Sequence, residues 1–77
     1  MVKYLDQGGI ILILNTMKIE LLLGERRMTK KRLSEASGIS APNVSTILKR
    51  GTCNPVTAVK ISAALGVDVF DILEEEK

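Results

Sequence analysis

From about residue 15 onward the apolar positions of this chain recur at helical spacing, whereas before it they bunch into one short run. Ile19, Leu22 and Leu23 fall three and four residues apart, which places them on one stripe of a first helix. That helix begins at Asn15 or Thr16, either of which can cap it, and ends near Arg26. Gly24 inside it costs up to about 1 kcal/mol relative to Ala and marks either close packing or an early end. A second pattern runs from about Lys30 to Ser37, with Thr29 placed to cap its first amides. Gly38 can take the left-handed backbone that ends a helix, because it has no Cβ to clash. Ile39 then plugs the corner, Ser40 is placed to cap a third helix, and Pro42 suits its first turn. Val44, Ile47 and Leu48 share one buried face of that helix. Gly51-Thr52-Cys53 reads as a loop, and Asn54–Pro55 as a helix start with Asn as cap and Pro at the first helical position. Val59, Ala63 and Leu65, with Ile61 nearby, line the fourth helix up to Gly66. Asp68 caps a last short helix carrying Val69, Phe70, Ile72 and Leu73, and Glu74-Glu75-Glu76 reads as a solvated tail.

The first sixteen residues follow another rule. Gly8-Gly9 interrupts the chain, and Ile10-Ile11-Leu12-Ile13-Leu14 has the β-branched content of a short strand without alternation. Three readings stay open: a strand pairing with its copy in a second subunit, an apolar arm over the helical core, or a poorly ordered extension. The run is far too short to span a bilayer, and no small-residue cleavage site follows it.

Two short helices hinged on a glycine have the spacing of a helix-turn-helix, and they need a surrounding bundle to bury enough surface. The residues RLSEASGIS at Arg32–Ser40, VSTIL at Val44–Leu48, the Asn54–Pro55 pair and KISAALGVDVFDIL at Lys60–Leu73 occur in the order of a known family. Over about Met17 to Leu73 the chain resembles the Cro/phage-repressor type of helix-turn-helix domain. The resemblance implies an all-α fold: a compact five-helix lambda-repressor-like bundle with the helix-turn-helix at about 30–49. The division expected is residues 1–15 as an N-terminal extension or arm, 16–74 as the DNA-binding domain and 75–77 as an acidic tail.

Composition narrows the function. Seventy-seven residues make one domain that buries only about 60% of its unfolded surface. With 45% hydrophobic residues but one Phe, one Tyr and no Trp, its core must be aliphatic. The net charge of +2 is unevenly spread: residues 18–60 hold nine Lys and Arg against three acids, and residues 61–77 hold one Lys against five acids. The basic excess therefore sits on the helix-turn-helix and its neighbours, where phosphates would lie. Cys53 stands alone and histidine is absent, so neither a disulfide nor a metal-ligand set is expected. Cys53 reads as a loop residue without chemistry, and the setting as reducing and cytoplasmic. No paired catalytic groups, glycine-rich phosphate loop or small-molecule site is evident, so the chain reads as a non-enzyme without cofactor or metal.

A DNA-reading helix offers short side chains near its N-terminus, where it enters the major groove. Asn43 can pair with the N6 and N7 edge of adenine, and Thr46, one turn along, can donate to a base or cover a thymine methyl. Ala41 can touch only a thymine methyl, and Ser45 can bond a phosphate or a base edge. The resemblance implies the same set, since positions 41, 42, 43 and 46 match those from which family members touch bases. Ala41 and Pro42 depart from the polar opening usual there, which shifts specificity toward Asn43, Thr46 and DNA shape. For phosphates the candidates are Lys30 at the opening of the second helix, then Lys49, Arg50, Thr52 and Asn54, with the Gly51–Asn54 amides. The resemblance places a Gln where this chain has Lys30, and an Arg where it has Leu23; either Arg26 or Arg27 substitutes for that Arg or the contact is missing. The expected function is a sequence-specific double-stranded-DNA-binding regulator, a repressor acting as a dimer through Ile10–Leu14 or the C-terminal helices. The alternative is a protein-interaction or antitoxin-like module using the same fold.

Overall fold

The structure, a computed structural model, describes residues 2–4 and 9–74. The elements run β1 (Val2–Tyr4), β2 (Ile10–Ile13), α1 (Thr16–Glu25), α2 (Lys30–Ser37), α3 (Ala41–Arg50), β3 (Thr52–Cys53), α4 (Pro55–Leu65) and a closing 3-10 turn at Val69–Ile72. Gly8 and the acidic tail at 75–77, both singled out in the sequence, lie outside the described residues.

The fold is mostly helical, and two of the sequence expectations change. Four α-helices form, not five, because the last apolar segment makes only one 3-10 turn. Asp68 accepts from the Phe70 amide at 2.9 Å, and Asp71 returns a bond to the Asp68 amide at 3.3 Å, so the turn is capped as it starts. Leu73 then goes extended (φ −93°, ψ 149°) to bridge Leu14, which stops any further helix. Nor is the fold all-α, because β1, β2 and β3 make a three-stranded antiparallel sheet with β2 in the middle.

That sheet decides among the readings of the N-terminal run. It is a strand, but its partners are in its own chain: Val2 to Leu12 and Tyr4 to Ile10 on one side, Leu12 to Cys53 and Ile13 to Thr52 on the other. The reading in which β2 pairs with its copy therefore fails, since both of its edges are engaged internally. The apolar-arm reading holds for Leu12, which packs on the core, and for Leu14, which is 3% exposed. The expected loop at Thr52–Cys53 is β3, and Cys53 is buried in it.

The core forms where the helical stripes converge: Ile19, Leu22 and Leu23 of α1, Leu33 of α2, Val44 and Leu48 of α3, and Ala58, Ile61 and Leu65 of α4, with Ile72 beneath. Val59 was expected among them and is instead 54% exposed, with Ala63 also outside. The α4 stripe is turned because Ser62 takes a core position, its hydroxyl satisfied by the Val59 carbonyl at 3.0 Å. Asn15 caps α1 by accepting from the Lys18 amide at 3.0 Å. The far end of α1 closes without glycine. Met28 donates to the Leu23 carbonyl (2.9 Å) and Arg27 to that of Gly24 (3.1 Å), with Arg27 itself left-handed at φ 52°.

Candidate nucleic-acid interface

The α2–turn–α3 unit is held by two serines, Ser34 and Ser37, as well as by its apolar side. Thr29 caps α2 by accepting from the Arg32 amide at 3.1 Å. Gly38 takes φ 76° and donates to the Ser34 carbonyl at 2.9 Å. Ser34 donates its hydroxyl to the Ile39 carbonyl, and the Ile39 amide donates to the Ser37 hydroxyl oxygen at 3.3 Å. Side-chain bonds thus replace the backbone pairing that the turn breaks. Leu33 and Val44 are fully buried across it, and Ile39 and Ile47 pack beside them. Ser40 has the extended backbone of a cap but makes no side-chain cap bond, contrary to expectation. Pro42 removes one of the two amides such a cap can use, and the other, that of Asn43, donates no bond to the Ser40 hydroxyl oxygen.

Burial of Val44 and Leu48 fixes the rotation of α3 and leaves Ala41, Pro42, Asn43, Ser45, Thr46, Lys49 and Arg50 exposed. Asn43, Thr46 and Arg50 follow one another at three and four residues, so they form one outward row. Ala41 and Ser45 form a second row nearer the buried side, because Ala41 leads into Val44 and Leu48. The Thr46 hydroxyl donates to the Pro42 carbonyl at 2.9 Å. Its one proton is therefore committed, and it presents acceptor lone pairs and a methyl group unless it rotates.

The phosphate candidates occupy the ends of the neighbouring helices. Lys30 opens α2 with its Nζ 3.6 Å from Glu20 Oε2, both side chains about half exposed. Such a surface pair is worth about 0–1 kcal/mol, so an arriving phosphate can replace the carboxylate at little cost. Asn54 is exposed and caps α4 through Oδ1, which accepts from the Thr57 amide at 2.8 Å. Lys49 and Arg50 lie at the exposed end of α3, where cations also suit the helix dipole. Thr52 is half-buried in β3, opposite Ile13. The expected row of Gly51–Asn54 amides is broken at its start, because the Gly51 amide donates to the Ile47 carbonyl at 2.7 Å. Leu23, where the resemblance implies an arginine, is 4% exposed and is a core residue.

Sequence reasoning singled out Arg26 and Arg27 at the corner after α1 but missed Arg32, which shares a groove with them. The signal was its place one turn before Ala36, on the flank of α2 that faces α4. Burial pushes the Cys53 thiol up to about 11 and keeps it out of the exposed surface. Among the described residues no group of His, Cys, Asp and Glu is placed to hold a metal ion, and no helix is long and apolar enough to cross a membrane.

In comparison with known proteins, the family model for the Cro/C1-type HTH DNA-binding domain matches residues 18–77. No curated protein and no solved structure matches the chain.

Proposed function

The chain belongs to the Cro/C1-type helix-turn-helix DNA-binding family, and on that premise we propose that it is a sequence-specific transcriptional regulator, a repressor acting as a dimer on a two-half-site operator. The observation that carries this reading is the rotation of α3. Its apolar residues are consumed by the core, so Asn43, Thr46, Lys49 and Arg50 are left exposed together. In this reading Asn43 reads adenine and Thr46 presents its methyl or its acceptor oxygen to a neighbouring base pair. Ala41 and Ser45 border the same groove. Lys30, Lys49, Arg50, Thr52 and Asn54 hold the flanking phosphates.

The dimer belongs on the C-terminal part of the domain. Val56 and Val59 of α4 are 64% and 54% exposed, and Phe70 of the adjoining 3-10 turn is 70% exposed. Exposed apolar side chains on neighbouring elements suit a protein surface, and β2 has no comparable free edge. The same residues are what favours the second reading, a module that holds another protein.

A binding selection from random duplexes, followed by charge reversal (Lys30→Glu with Lys49→Glu), separates the two. Loss of retention by the double variant, with its helical content intact, supports the DNA reading. Unchanged retention, or no enriched sequence, overturns it.

A further inference from the structure

A second basic cluster lies outside the recognition face. Arg26 and Arg27 at the α1–α2 corner and Arg32 in the first turn of α2 line a groove of about 580 Å³ together with Met28, Thr29, Ala36 and Ala64. It is an open surface groove, not an enclosed cavity. No acidic side chain lines it, and none of the three arginines is in an ion pair among the described residues. Three guanidiniums around one concavity repel one another and attract a multiply charged anion.

Most of the groove lies away from the surface assigned to DNA, and the two adjoin at the start of α2, where Thr29 precedes Lys30. Arg32 and Ala36, four residues apart, lie on the flank of α2 that meets α4, whereas Ser34 bonds across the turn toward α3. Ala64 sits nine residues beyond Pro55, about 14 Å along α4 from the end proposed to hold phosphate. Beside the groove, Thr29 caps α2, whose first amides have no preceding helical carbonyl to bond and so favour negative charge.

We propose that this groove binds a small polyphosphate-bearing ligand, of the class of a nucleoside polyphosphate, as a site distinct from the DNA surface. The guanidiniums take phosphate oxygens in paired hydrogen bonds, and the apolar side chains of Met28, Ala36 and Ala64 along the groove cover one face of a planar ring. A monophosphate would leave at least one of the three cations unmatched.

The test is a titration of the isotope-labelled full chain with inorganic triphosphate and then with a nucleoside triphosphate, followed by amide NMR. Saturable shifts at residues 26–32 and 64, with residues 43–50 unmoved, are expected, and the nucleoside form should bind more tightly. The triple variant Arg26→Gln, Arg27→Gly, Arg32→Gln should lose about tenfold or more in affinity and retain its fold, since all three side chains are exposed. Shifts spread equally over Lys49 and Arg50, or unchanged binding by the triple variant, overturn the proposal. A second arm repeats the titration on the chain saturated with duplex. Retained binding supports a separate site, whereas displacement by DNA assigns the groove to backbone phosphates and overturns it. The first arm stands without DNA, so failure of the regulator reading leaves it intact.

Discussion

Gly24 stands inside α1 with no heavy atom within 4 Å of where a Cβ would sit, while Arg27, three residues on, carries the left-handed φ of 52°. The helix therefore has a flexible residue where a rigid one fits and a hindered one where glycine is favoured. Gly24→Ala should stabilise the protein by about 0.5–1 kcal/mol, and Arg27→Gly by a similar amount, read as shifts of the urea midpoint at constant slope. A drop in stability for either would show that the end of α1 is held by something other than backbone propensity. At Gly38 the sign reverses. Its φ is 76° and a Cβ there meets nothing within 4 Å, so Gly38→Ala costs only the backbone strain, about 1–2 kcal/mol. Cys53 gives a pH prediction. Its folded pKa is raised, to about 11 from an ordinary value of 9.0, because burial disfavours the thiolate. The unfolded chain then releases this proton first. The contribution is fully present below pH 9 and is lost as pH rises toward 11. Urea midpoints at pH 8 and pH 10.5 should diverge more for the wild type than for Cys53→Ala, and equal divergence would refute the assignment.

Among the elements, the segment Ile13–Asn15 ties three parts of the chain together. Leu14 donates to the Gly51 carbonyl (2.9 Å), Asn15 to that of Ile72 (2.8 Å), and Glu74 to that of Ile13 (2.9 Å). Gly51 ends α3, so the N-terminal strand fixes where the proposed recognition helix stops. Leu14→Ala should cost about 2–5 kcal/mol, as large-to-small changes at fully buried sites do. Thermal unfolding would show it as one cooperative transition at lower temperature. A separate early transition for the sheet would contradict this coupling. The helices were legible in the sequence because each carries its own stripe and three of the four their expected cap: Asn15, Thr29 and Asn54 all cap as their side chains suggest, and only Ser40 does not. The strands were not, since β3 is two residues long and takes its identity from a partner some forty residues away. Leu73 likewise goes extended for the sake of Leu14, which no local pattern announces. The turn of the α4 stripe was hidden by Ser62, a polar residue whose burial depends on a bond within its own helix.

At the scale of the whole molecule, charge and surface decide more than the core. The Lys and Arg excess of residues 18–60 was readable from the sequence, and the structure adds how it is divided: Lys30, Lys49 and Arg50 around α3, and Arg26, Arg27 and Arg32 in the groove on the other flank of α2. The two groups should answer differently to salt and to substitution. About four phosphates neutralised per subunit, doubled in a dimer, give a slope of log K against log salt near −7. Affinity would then fall about 10⁴-fold between about 50 and 200 mM salt. Each of Lys49→Ala and Arg50→Ala should make that slope shallower by about 1 per subunit without changing the preferred sequence, because phosphates position and bases specify. Asn43→Ala should instead keep the slope and cost about 1–3 kcal/mol on the preferred duplex alone. Arg32→Gln, in the groove, should leave both quantities unchanged. A wild-type slope shallower than about −2 would sink the account of two phosphate-bound subunits. A slope change on Arg32→Gln would join the two basic clusters into one DNA surface.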